Sequence, residues 1–149
     1  MAKYAIELNR TASATASLGS VTADATRPRR GKLYDVIFGS EATPADNAFR
    51  YIIQRVTAAG TSTAVTPQAL DPADAATEMD SGENHTIEPT YTAGAILLAV
   101  GLNQRATFRW VASPGGELVF PATASNGLGE QKPTSSAVAI TATLHVDEQ

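Results

Sequence analysis

Between Val138 and Val146 the chain alternates without a break. Val138, Ile140, Ala142, Leu144 and Val146 fall on one side, and Ala139, Thr141, Thr143 and His145 on the other. A period of two belongs to an extended strand, whereas a helix needs apolar residues three or four apart. The same period recurs upstream. Lys3 to Leu8 sets Tyr4, Ile6 and Leu8 against Glu7, and Thr11 to Ala23 continues with small residues, Ala12, Ala14, Ala16 and Leu18 against Thr11, Ser13, Thr15 and Ser17. Lys32 to Ser40 carries Leu33, Tyr34, Val36, Ile37 and Phe38. In Phe49 to Thr57, Phe49, Tyr51 and Ile53 oppose Ile52 and Val56, which predicts a central strand or one face set against a partner subunit. Ala95 to Val100 and Gln104 to Val111 follow. In the second, Ala106, Phe108 and Trp110 oppose Arg105, Thr107 and Arg109, which assigns Trp110 to the core. Gly101-Leu102-Asn103 between them is short enough for a hairpin. Glu117 to Phe120 is a short strand stopped by Pro121.

About eight strands without amphipathic helices between them predict an all-β fold, an antiparallel β-sandwich or jelly-roll-like domain. Residues 1–149 read as a single domain, with 1–25 as a candidate N-terminal arm or edge strand. Thr43-Pro44-Ala45-Asp46-Asn47-Ala48 and Asp71-Pro72-Ala73-Asp74-Ala75-Ala76 each place a capping residue before Pro, and predict short helical turns in loops. Pro114-Gly115-Gly116 and Asn126-Gly127-Leu128-Gly129 read as turns or loops.

Composition narrows the function. Charged residues make up only 17% of the chain, so much of its surface must be Thr, Ser, Ala and Gly, as on proteins covered by neighbours in an assembly. A net charge of −4 offers no general attraction to phosphate, which disfavours a nucleic-acid partner. The absence of cysteine removes thiol catalysis, cysteine-ligated zinc and disulfides. The N-terminal residues show no apolar stretch of signal-peptide length, and the longest apolar run, Ala95 to Val100, is far too short for a helical membrane span. A soluble protein with no membrane partner is expected.

The search for chemistry finds little. His85 lies in the acidic stretch Glu78 to Glu88, where Asp80, Glu83, His85 and Glu88 offer metal-ligand atoms. Their spacing matches neither a calcium loop nor a zinc site, so a solvated loop between strands is expected and no metal is assigned. His145 stands beside Asp147 and Glu148 but has no Gly-x-Ser-x-Gly nucleophile elbow to serve, and reads as an exposed strand histidine. No catalytic residue and no cofactor is expected. The one basic cluster is Arg27-Pro28-Arg29-Arg30-Gly31-Lys32. Arg27, Arg29, Arg30 and Lys32 are candidate partner contacts, able to dock on an acidic patch through forked guanidinium hydrogen bonds; the plainer alternative is a charged turn.

Three stretches carry a resemblance: Gly31 to Ser40, Asn103 to Ala112, and Val138 to Glu148. With abundant Ala, Thr and Gly, they resemble small structural proteins of tailed bacteriophages that coat or cement the head. The resemblance implies a virion protein made in the host cytoplasm that sits on the capsid surface as a homo-oligomer, a trimer, with the major capsid protein or another virion protein as partner. It implies no functional residue. The alternative expectation is a sugar-binding or adhesin-like β-sandwich module of a tail fibre or cell surface. The scarcity of Trp and Tyr counts against that alternative.

Overall fold

The computed structural model describes residues 1–13 and 16–149. Among the described residues twelve strands form two antiparallel sheets packed face to face, a β-sandwich. In chain order they are β1 (Ala2–Ser13), β2 (Ala16–Ala23), β3 (Gly31–Ser40), β4 (Ala48–Ala58), β5 (Thr61–Ala64), β6 (Gln68–Ala69), β7 (Met79–Ile87), β8 (Thr90–Asn103), β9 (Phe108–Val111), β10 (Leu118–Phe120), β11 (Gly127–Lys132) and β12 (Val138–Glu148). Sheet A runs β10-β3-β12-β1-β6, with β9 pairing β3 further along the same strand; sheet B runs β5-β7-β2-β11-β4-β8. Among the described residues no strand pairs with the one that follows it in sequence. The chain passes repeatedly from one sheet to the other.

The alternation predicted for β12, β3 and β1 produces the core. Tyr4, Ile6 and Leu8 of β1, Leu33, Val36 and Phe38 of β3, and Ile140, Leu144 and Val146 of β12 are buried in one cluster with Leu18 and Val21 of β2, Phe49, Tyr51 and Ile53 of β4, and Leu128 of β11. The rings of Phe38 and Tyr51 stack between the sheets, their centroids 3.8 Å apart. Arg55 reaches across, its Nη1 donating to the Val119 carbonyl at 2.6 Å. Trp110 is half-buried and packs against this core.

Several expectations are corrected. Residues 1–25 form no projecting arm; beyond the two pairs with β6, at Tyr4 and Ala5, β1 has an edge-like outer flank, whereas β2 is enclosed. β1 lies between β12 and β6, and β2 between β7 and β11. The expected strand Thr11–Ala23 is two strands in different sheets, and its Ala14 and Thr15 fall outside the described residues. Every residue of β2 is buried, and the chain between β7 and β8 lies over it at Ser17. Glu88 accepts from the Ser17 N–H at 3.1 Å and from the Ser17 hydroxyl, and the Tyr91 hydroxyl lies 2.6 Å from the Ser17 hydroxyl oxygen. Small residues suit a strand enclosed on both faces.

The expected hairpin across Gly101-Leu102-Asn103 does not form. β8 pairs with β4 in sheet B, whereas β9 pairs with β3 in sheet A. No helix occurs among the described residues. At Asp71 the capping device makes a single turn: the carboxylate accepts from Ala73 N–H at 2.9 Å and the carbonyl from Asp74 N–H at 2.9 Å, and the chain then returns to the sheets. In 43–48 no helical turn forms, and the Ala45 N–H is taken by the Gln104 side chain at 2.8 Å. Asn126-Gly127-Leu128-Gly129 is mostly strand, the beginning of β11. Its glycines meet close neighbours: a Cβ on Gly127 would lie 2.0 Å from the Val21 carbonyl oxygen, and one on Gly129 would lie 2.7 Å from the Tyr91 ring.

Candidate functional site

The basic cluster sits on the loop that carries the chain from β2 in sheet B to β3 in sheet A. The loop is braced. Asp24 Oδ1 accepts from the Thr26 N–H and hydroxyl, each at 2.7 Å, and from the Arg27 N–H at 2.6 Å; these bonds hold the carboxyl below its ordinary pKa. At its other end the Arg30 carbonyl accepts from Gln149 N–H at 2.9 Å. The four candidate cations then divide. Arg27 pairs with Glu78 at 2.7 Å while its side chain remains 71% exposed. Lys32 is half-buried in β3, opposite Asp147 of β12 and Val119 of β10. Arg29 and Arg30 are exposed, and among the described residues no carboxylate forms a salt bridge with either. A shallow cavity of about 460 Å³ lies beside them, lined by Arg30, Arg55, Val119, Pro121 and Ala122.

Sheet A brings together a polar cluster on its outer face. Asp35 is buried, and Arg109 grips it in a fork, Nε to Oδ1 at 3.0 Å and Nη2 to Oδ2 at 2.7 Å. His145 Nδ1 lies 3.3 Å from the same Oδ2, and its ring stacks on Tyr34 at 6.0 Å. Arg109 is the main cause of a lowered Asp35 pKa. His145 is therefore a half-buried member of an ion cluster, not the exposed histidine expected beside Asp147 and Glu148. Glu148 instead accepts from the Thr77 hydroxyl and the Glu78 N–H. The cluster ties β9 and β12 to the strand between them. Among the described residues no serine or threonine hydroxyl hydrogen bonds to His145.

The acidic stretch around His85 is not a solvated loop. It forms β7, inside sheet B. His85 is 5% exposed, with Nε2 3.1 Å from the Ser20 hydroxyl and Nδ1 unpartnered, and burial pushes its pKa down. Glu83 accepts from Asn9 N–H at 2.5 Å, and Glu88 is taken by Ser17. Asp80 stands exposed on the strand. His85, Glu83 and Glu88 thus turn to separate partners, and among the described residues no group of three His, Asp or Glu could hold a metal ion.

A buried ionisable row along β11 was not among the expectations. Glu130 is 1% exposed, and neither carboxylate oxygen has a hydrogen-bond partner. Loss of water raises its pKa to about 8, so the carboxyl is protonated at neutral pH. The neighbouring Tyr51 hydroxyl is also unpartnered, and its pKa is raised by burial and by Glu130. Lys132 is equally buried; its ammonium donates to the Ser13 carbonyl, and burial lowers its pKa. Alternation of Leu128, Glu130 and Lys132 on one face could have located the row, but the interleaved glycines read as a turn.

A groove of about 550 Å³ runs beside β1, with Glu7, Asn9, Gln68, Glu83 and Thr143 among its lining residues. No aromatic ring lines it, so it lacks the stacking platform a sugar site would use. Comparison with protein-family models, with curated proteins and with solved structures finds no match to this chain.

Proposed function

We propose that this chain is a structural protein of a tailed-bacteriophage virion, a decoration or cement protein that docks as a homo-oligomer on the capsid surface. The observation that carries this reading is the braced basic loop. Among the described residues no carboxylate forms a salt bridge with Arg29 or Arg30, which stand at the junction of the two sheets on a loop fixed at Asp24 and at Arg30. A fixed loop loses little freedom on docking, and two free guanidinium groups match an acidic patch of a major capsid protein. The low charge of the remaining surface and the resemblance of residues 31–40, 103–112 and 138–148 to head proteins support the same reading.

The test is binding of the purified chain to heads assembled from the major capsid protein of the same genome. Saturable binding that raises the heat resistance of the heads is expected. The double variant Arg29→Glu/Arg30→Glu should fold as before but bind at least about tenfold more weakly. Absence of binding, or binding indifferent to the charge reversal, would overturn the proposal.

A further inference from the structure

The last strand of sheet B is unlike the other edges of the molecule. β8 is 14 residues long and pairs only with β4. The other edge strands are short: β5 and β9 have four residues each, β10 three and β6 two. Its sequence, Thr-Tyr-Thr-Ala-Gly-Ala-Ile-Leu-Leu-Ala-Val-Gly-Leu-Asn, contains no charged residue and no proline. Charged side chains and proline are the usual means by which a free edge is kept from pairing. The flank is open: Ile96, Ala99 and Gly101 are exposed, and a Cβ on Gly94 or Gly101 would meet nothing within 4 Å. The ladder with β4 uses the amides on one side of Ile96 to Asn103. The outward-facing amides and carbonyls of that run form a second, unused ladder.

We infer that β8 is a self-association edge, which pairs with β8 of a second copy in antiparallel register to make one continuous sheet from two copies of sheet B. The choice of occupant rests on length and charge. Among the described residues the terminal edge strands are too short to satisfy β8, and the outer flank of β1 beyond Ala5 carries Glu7 and Arg10 and has its Asn9 and Thr11 amides taken by the Glu83 and Asn84 side chains. An uncharged strand can face its own copy without like-charge repulsion. The register follows from antiparallel geometry. Residues directly opposite one another share the same hydrogen-bonding role, so a twofold axis must set one residue across from its own copy. Centring the axis on the Ile96–Leu102 run puts Ala99 against the partner's Ala99. Leu98, on the core side opposite Ile53, then meets the partner's Val100, and Leu97 meets the partner's Gly101. Small residues at 99 and 101 permit close approach. This contact is twofold, unlike the threefold arrangement implied by the resemblance, and it does not depend on the docking reading.

The test uses the full chain and substitutions at the exposed Ala99. Light scattering at micromolar concentration should give twice the 15.5 kDa chain mass. Amides of Ile96 to Asn103 should exchange more slowly as concentration rises. Ala99→Lys and Ala99→Glu each place like charges across the axis and should weaken self-association at least about tenfold, with unchanged circular dichroism and melting temperature. An equimolar mixture of the two variants should restore the dimer, because Lys then faces Glu. A monomeric wild type, a trimer, or a dimer insensitive to Ala99→Lys would each overturn the inference. Protection of β8 that appears only when capsid protein is added would overturn it as well.

Discussion

Leu8 and Gly19 meet across the sandwich: Leu8 Cδ1 lies 2.5 Å from the point where a Cβ on Gly19 would stand, and the Gly82 carbonyl oxygen lies 2.9 Å from it. A leucine of sheet A fills the space left by a missing side chain in sheet B. Gly19→Ala forces one extra methyl between a buried side chain and backbone, which should cost about 1–3 kcal/mol. The urea midpoint should fall with little change of slope. Combined with Leu8→Ala, the loss should be smaller than the sum of the two single losses, because the clash is shared.

Glu130 gives the fold a pH dependence of defined sign. The unfolded chain releases this proton near 4.5, whereas the folded chain keeps it until about 8. The folded state binds the extra proton in between, so stability falls as pH rises through that window, by roughly 1 kcal/mol per pH unit, and levels off above it. His85 acts in the opposite sense: its folded pKa lies below 6.5, so its contribution is lost as pH falls. Comparing melting temperatures of the wild type and Glu130→Gln across pH separates the two. The advantage of the glutamine variant should grow from weak acid to about pH 8; a constant difference would mean that Glu130 ionises freely in the fold.

The Asp35–Arg109 fork should show itself at the acid end. Asp35 has a folded pKa below its ordinary 3.8, so its contribution is present above that value and lost as pH falls through the folded pKa. Arg109→Ala should lower the melting temperature at neutral pH. The difference should vanish in strong acid, where Asp35 is protonated in both proteins. The Asp35 carboxyl, followed by NMR, should titrate at higher pH in the variant.

Removal of residues 1–25 should abolish folding. It deletes β1 and β2, which lie inside the two sheets and carry Tyr4, Ile6, Leu8, Leu18 and Val21 into the core. Burial of such side chains contributes about 1.5–3 kcal/mol each, which together is as large as the roughly 5–15 kcal/mol that hold a domain folded. A truncated chain with a wild-type circular dichroism spectrum would contradict the strand order.

How much could be read in advance depended on what each strand packs against. β12, β3 and β4 were legible because large aliphatic residues alternate along them. β11 was hidden by Gly127 and Gly129, which are glycine because the Val21 carbonyl and the Tyr91 ring occupy the positions of their Cβ atoms. β7 was hidden by polar residues whose side chains bind backbone of other strands, as Glu83 does at Asn9 and Asn84 at Thr11. The basic loop was visible as a run of neighbours in sequence. The Asp35, Arg109 and His145 cluster was not, since its members come from three strands that only the folded sheet brings together.

The absence of pairing between consecutive strands bears on how the protein is made. β1 finds its main partner in β12, with Ala2 opposite Glu148, so sheet A cannot close until residue 148 has left the ribosome. Among the described residues no local hairpin is available to start folding earlier, and the first contacts must close long loops of chain. Folding should therefore be slow, with the uncharged β8 segment left without its full sheet until the strands around it have all been made.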